Sequence, residues 1–317
     1  MRRLLIGSSL FASALALAAC GSDSTSAAAG TTSGGPTTTS AGAGGESGST
    51  TSATTGGTGG ATAGSTSGAG GSAPVVPAYK SYVILGDSIS DHGGMGPFFY
   101  DILATNDDAA YPKWQGHDLK SKFGQDLMVV STAKAGAVSS DLPGQVTKLP
   151  ASLPGPVAVT ITIGGNDMQA HILNILNGKD QADRDAMRAN LKAALTELTK
   201  PDRFGAGVEV HVFQADIYDP TGGKGDFSKE GCPAPLSFLP VTPTDTFFMN
   251  WNAVVKDEVP MHGVSLVEPL HDDFYAHSLS NKTDGWFYKD CIHPNTPGHN
   301  QLRALFWTAI TGEAAPM

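Results

Sequence analysis

Five short runs of β-branched and apolar residues recur along the chain, with room for a helix between successive runs. They are Tyr82 to Leu85, Leu127 to Ser131, Val157 to Ile163, Val208 to Ile217 and Val264 to Val267. Their composition fits strands buried on both faces. Between the third and fourth runs, Met187, Leu191, Leu195 and Leu198 recur at the spacing of one helix stripe. Near the C-terminus, Thr296 is placed to cap a helix with Pro297 in its first turn. Leu302, Leu305, Phe306 and Ile310 would form the apolar face of that helix, and Gly312 would end it. Strand alternating with helix predicts a parallel sheet covered on both sides. Ligands of such sheets gather beyond the carboxyl ends of the strands, where the strand order switches.

The residues at those ends bear chemistry. The first run stops at Gly86-Asp87-Ser88, the second leads into Ala135-Gly136-Ala137, and the third ends in Gly164-Gly165-Asn166-Asp167. Asp290-Cys291-Ile292-His293-Pro294 precedes the last helix. A hydroxyl, a glycine amide, an asparagine amide and an Asp/His pair would converge on one edge of the sheet.

A serine hydroxyl needs a base to take its proton as it attacks, and histidine is the usual one. The base needs a partner that fixes its tautomer and steadies the imidazolium. His293 suits the first role for Ser88, and Asp290, three residues earlier, suits the second. Attack on an acyl carbonyl creates an oxyanion, so donors must stand where it forms. The backbone N–H groups of Ser88 and Gly136 and the side-chain amide of Asn166 are the candidates. Each stretch taken singly is an ordinary turn or cap; their combination in this order points to acyl transfer.

These blocks resemble those of the SGNH hydrolases, the GDSL lipase/esterase superfamily. "ILGDSIS" matches the nucleophile block with Ser88, "AKAGAVSSD" the glycine block with Gly136, "GGND" the asparagine block with Asn166, and "DCIHPN" the Asp/His block with Asp290 and His293. All four stand in family order, and the likeness runs from Tyr82 to about Ile310. It implies a flavodoxin-like three-layer α/β/α sandwich with a five-stranded parallel sheet, and ester hydrolysis with no metal or other cofactor. Ile89 stands where leucine is common, and Lys134 precedes the glycine block. The superfamily acts on lipids, acetylated sugars, thioesters and phospholipids, so the likeness leaves the substrate open between a simple ester and an acylated glycan.

The other 76 residues read differently. Residues 1–20 begin with Arg2 and Arg3, continue in a short apolar stretch and end in Leu17-Ala18-Ala19-Cys20. That is the layout of a secretory leader, and it is short for a membrane span. Its last four residues resemble the bacterial lipobox, which implies lipidation of Cys20 and attachment to a membrane of the cell envelope, at the outer membrane or cell surface. Residues 21–76 are almost wholly Gly, Ser, Thr and Ala, with Asp23 and Glu46 their only charges. They offer too little apolar surface to offset chain entropy. As a tether they would reach roughly 40 Å. Residues 77–317 remain as one hydrolase domain, expected to be monomeric.

The formal net charge of -10 argues against a nucleic-acid partner. Beyond Cys20 the chain has two cysteines, Cys232 and Cys291. In an exported protein such a pair reads as a disulfide, with two buried free thiols as the alternative. Asp91-His92-Gly93-Gly94 faintly resembles the oxyanion loop of another serine-hydrolase fold, but the Gly-x-Ser-x-Gly elbow of that fold is missing. His92 is then a loop residue near the mouth of the site. "HDDFYAH", from His271 to His277, matches no standard zinc spacing, so no metal site is expected. Phe227, Phe238, Leu239, Phe247 and Phe248 either line an acyl pocket or cap the core. A surface-binding lipoprotein without activity is the alternative from a different class; the filled catalytic positions argue against it.

Overall fold

The computed structural model describes residues 76–316. The expected leader, the lipidation residue Cys20 and all but the last residue of the expected tether lie outside them.

Five strands form one parallel sheet: β1 (Ser81–Gly86), β2 (Met128–Ser131), β3 (Val157–Thr162), β4 (Val210–Ala215) and β5 (Ser265–Val267). Their order is β2-β1-β3-β4-β5, and every pair is parallel. This is the doubly wound flavodoxin-like order, whose switch point lies between β1 and β3. β2, β3, β4 and β5 fall within the expected runs, and β1 extends one residue beyond its run at each end. β4 is shorter than its run at both ends.

Alternation along the strands divides the core in two. Val83 and Leu85 of β1 and Val157, Val159 and Ile161 of β3 face one side. Tyr82 and Ile84 face the other, beside Ala158. Thr160 also points that way, and its hydroxyl lies 3.0 Å from that of Tyr82. The first side is covered by α3 (Leu142–Lys148), α6 (Gln181–Leu198) and α7 (Asp245–Glu258), with contributions from α4 (Gly165–Ala170) and α5 (Ile172–Leu176). The second is covered by α1 (Phe99–Ala104), α2 (Leu119–Phe123), α8 (Pro269–Ala276) and α9 (Thr296–Thr311). The result is the expected three-layer sandwich.

Helix α6 is rich in Ala and Leu, both good helix formers. Its stripe of Met187, Leu191, Leu195 and Leu198 is fully buried, and each such side chain contributes roughly 2 kcal/mol by leaving water.

Two expectations change. Burial on both faces fails for β2, where Met128 and Val129 are exposed, because β2 is an edge strand paired only with β1. The cap of α9 is Asn295 rather than Thr296: the Asn295 side chain accepts from Gly298 N–H, and Thr296 instead donates its hydroxyl to Gly96 O at 2.9 Å. Gly312 does end this helix, in a left-handed conformation at φ 68°. Phe247 and Phe248 pack against the core, whereas Phe238 is exposed.

Candidate active site

Ser88 follows β1 directly, at the switch point. The chain turns there because Gly86 adopts φ 127°, where a Cβ would overlap the Thr162 carbonyl on β3. The Gln145 amide clamps this glycine from α3, accepting from Gly86 N–H at 2.8 Å and donating to Gly86 O at 2.7 Å. Asp87 then caps a short 3₁₀ turn over Ser88–Ser90 by accepting from Ile89 N–H at 3.0 Å. Thr162 donates its hydroxyl to the same carboxyl oxygen at 3.1 Å. Burial pushes the Asp87 carboxyl up to about 7 against these hydrogen bonds. Ser88 opens the turn, so its own N–H has no acceptor within it.

The structure brings His293 and Asp290 together with Ser88. His293 Nε2 lies 2.7 Å from Ser88 Oγ, and His293 Nδ1 lies 2.8 Å from Asp290 Oδ2. An ionised carboxylate only accepts, so Nδ1–H donates to Asp290 and Nε2 presents its lone pair to the Ser88 hydroxyl. Asp290 Oδ1 accepts from the backbone N–H groups of Ile292 and His293, at 3.1 and 3.0 Å. Burial alone would raise the Asp290 carboxyl; the hydrogen bonds from the His293 ring and from those two amides outweigh it, and the pKa falls below the ordinary value.

The turn carrying this pair is held from several sides. Tyr288 N–H donates to His293 O at 2.7 Å, and the hydroxyl of half-buried Tyr218 donates to Ile292 O at 2.7 Å. Cys291 forms a disulfide with Cys232. His299, fully buried on α9, donates through Nε2 to Gly93 O at 2.8 Å, which ties α9 to the loop after Ser88. Burial drives the His299 pKa down to about 4, so its ring is neutral at ordinary pH.

Gly136 stands at the end of the β2 segment with φ 78°, and nothing crowds the position its Cβ would take. Its loop is pinned to β1 by Lys134 N–H, which donates to Gly86 O at 3.0 Å. Asn166 lies on the first turn of α4 and donates one amide hydrogen to Ala137 O at 2.9 Å, beside Gly136. A primary amide has two N–H groups, so the second remains for a ligand. Buried Asp167 fastens the same loop by accepting from Ser139 N–H at 2.8 Å and from the Ser139 hydroxyl at 2.5 Å. Its pKa is raised by burial, against the Ser139 hydrogen bonds.

Ser88, Gly136, Asn166, Asp290 and His293 therefore gather at the carboxyl edge of β1 and β3, whereas Cys20 lies outside the described residues. Gln145, Thr162, Asp167, Tyr218 and His299 were not singled out from the sequence as supports of the site. Asp167 lay within a recognisable block and Thr162 at the end of the run before it; Gln145, Tyr218 and His299 reach the site from distant elements. The His271–His277 stretch forms α8 and the residue after it, and its two imidazoles have local partners, Asp272 for His271 and Asp284 for His277.

The chain is similar in structure to the acetylxylan esterase Axe2 from Geobacillus stearothermophilus, at 19% identity and a TM-score of 0.48, covering 75% of this chain and 97% of that one. It is also similar to the acetyl xylan esterase AlAXEase, at 19% identity and TM-score 0.46, covering 73% and 99%. A third similar structure is the lipase Lip_vut3 from a goat rumen metagenome, at 17% identity and TM-score 0.45, covering 72% and 97%. No curated protein matches the chain. The model of the GDSL-like lipase/acylhydrolase family matches residues 84–301, a span that contains every residue of the site just described. The chain belongs to the GDSL-like lipase/acylhydrolase family and is a carboxylic ester hydrolase.

Proposed function

We propose that the protein is a serine esterase that works through an acyl-enzyme, with Ser88 as nucleophile, His293 as general base and acid, and Asp290 as the group that orients His293. The observation that carries this is the bridging position of His293, 2.7 Å from Ser88 and 2.8 Å from Asp290. Ser88 Oγ attacks the ester carbonyl as its proton passes to His293 Nε2. The oxyanion is held by Ser88 N–H, Gly136 N–H and the second amide hydrogen of Asn166. His293 gives its proton to the departing alcohol, then takes one from the water that frees the acid and regenerates Ser88. Asp290 remains ionised throughout, which its lowered pKa favours.

The substrate is a small ester or an acylated glycan. Hydrolysis of p-nitrophenyl esters from acetate to palmitate by the wild type and by Ser88→Ala tests the mechanism. The expected outcome is activity in the wild type and its loss in Ser88→Ala, with the chain-length profile separating an acetylesterase from a lipase. A folded wild type inert towards every ester, with Ser88 unreactive to a fluorophosphonate, would instead favour a binding lipoprotein.

The leader and the Leu-Ala-Ala-Cys stretch support a lipid anchor at Cys20 and a place in the bacterial envelope. Labelling with radioactive palmitate, present in the wild type and absent in Cys20→Ala, is the expected result. The hydrolase domain is proposed to act as a monomer, which light scattering would check.

A further inference from the structure

His92, four residues after Ser88, takes no part in the mechanism, yet its ring is held from several directions. Its backbone is left-handed at φ 60°, a conformation that histidine and asparagine tolerate better than most residues. Its N–H donates to the Tyr100 hydroxyl at 3.1 Å. The ring stands edge-on to Phe98, with centroids 4.9 Å apart, and near Tyr100 at 6.0 Å. Asp91 Oδ1 lies 2.9 Å from His92 Nδ1, and the other Asp91 oxygen accepts from Ala135 N–H at 2.8 Å. Asp91 thus joins His92 to the loop that carries Gly136.

Despite these restraints the His92 side chain is 69% exposed, and among the described residues its Nε2 has no hydrogen-bond partner. Its position relative to the reaction follows from Gly93. Gly93 N–H donates to Ser88 O at 2.6 Å, and a Cβ on Gly93 would come within 2.5 Å of His293 Cδ2, the carbon next to Nε2. Gly93, directly after His92, therefore lies against the edge of His293 that would protonate the departing alcohol.

We propose that His92 is a specificity residue that binds the alcohol portion of the substrate, accepting a hydrogen bond through Nε2 from a hydroxyl next to the ester. The inference rests on the serine-esterase reading above. The class of ligand follows from the tautomer. In the neutral ring Nδ1–H donates to the Asp91 carboxylate, so Nε2 presents a lone pair and needs a donor. An alcohol portion with a second hydroxyl, as in a polyol or a sugar, supplies one; a simple alkyl alcohol does not.

The test compares three acetate esters that share the acyl group: ethyl acetate, glycerol monoacetate and a monoacetylated methyl glucoside. Values of kcat and KM are measured in a pH-stat for the wild type, His92→Phe and His92→Asn. The wild type is expected to prefer at least one hydroxylated ester over ethyl acetate, and which one it prefers distinguishes a polyol from a sugar. In His92→Phe, whose ring can still pack on Phe98, that preference should fall about tenfold, through KM, the factor one hydrogen bond supplies. His92→Asn tolerates the left-handed backbone and keeps an acceptor, so it should retain most of the preference. A wild type with no preference overturns the proposal, as does a His92→Phe preference within about twofold of the wild type, well inside the worth of one hydrogen bond. Equal losses on all three esters would make His92 a packing residue and also overturn it. Loss of Ser88 reactivity towards a fluorophosphonate in the wild type would strike the serine-esterase reading, whereas reactive Ser88 without selectivity strikes only the role of His92.

Discussion

Cys232 and Cys291, 59 positions apart in the chain, are joined by a disulfide with Cα atoms 5.6 Å apart. Cys291 stands between Asp290 and His293 in the chain, with its backbone left-handed at φ 69°. The bond fastens the long loop after β4 to the turn that carries Asp290 and His293.

Reduction is therefore expected to lower kcat before the domain unfolds, because the turn loses one of its restraints. Closing a loop of this length contributes about 4 kcal/mol in the chain-entropy account, so Cys232→Ser should also be less stable by a similar amount. Activity and circular dichroism are measured together over a thermal ramp, with and without reductant, on protein shown by mass spectrometry to be bridged. Equal activity in both samples up to the melting point would contradict the idea.

Asn166→Ala removes a proposed oxyanion donor and leaves the Ser88–His293–Asp290 contacts in place. The expected outcome is a fall in kcat of roughly 100- to 1000-fold with little change in KM, the pattern of a contact made only in the transition state. Steady-state kinetics on p-nitrophenyl acetate check it. A change confined to KM would remove Asn166 from the oxyanion site.

Gly86→Ala tests the turn that presents Ser88. An alanine there meets φ 127° and the Thr162 carbonyl together, and the Gln145 clamp leaves the backbone little room to shift. A loss of at least ~3 kcal/mol is expected by urea denaturation. A variant of wild-type stability would mean that the turn relaxes freely.

Asp216, at the end of β4, gives a pH dependence. Burial pushes its carboxyl up to about 8, although it accepts from His271 N–H at 2.9 Å, and its Oδ2 has no partner among the described residues. Below the ordinary carboxyl pKa of 3.8 the group is neutral both folded and unfolded. As pH rises from there to about 8, the unfolded chain releases the proton while the folded chain retains it, and the stabilisation it contributes is lost. Asp216→Asn can still accept from His271 N–H and cannot ionise. Its stability relative to the wild type should rise between pH 4 and pH 8, read from urea curves at several pH values. A constant difference would mean that Asp216 titrates normally.

Much of the site was legible because its signals are local. Gly-Asp-Ser after a β-rich run marks a turn at a strand end, and an Asp three residues before a His can reach back to its ring. The strands and the α6 stripe were equally readable, since periodicity of apolar residues is carried by neighbours in the chain. The cap of α9 was misplaced by one residue because Asn295 and Thr296 are both good caps, and the choice fell to a Gly96 carbonyl 200 residues away.

Sequence by itself determined the kind of fold, the family and the residues proposed to carry the hydrolysis. Tertiary structure alone decided how those residues are held. Gln145 meets Gly86 across 59 residues, Tyr218 meets Ile292 across 74, and His299 meets Gly93 across 206. Such contacts leave no periodic or motif signal, because a hydrogen bond depends on where two elements end up in space. The same holds for the exposure of β2, which follows from its place at the edge of the sheet, and for the open Nε2 of His92, which depends on Asp91, Phe98 and Tyr100 converging on one ring.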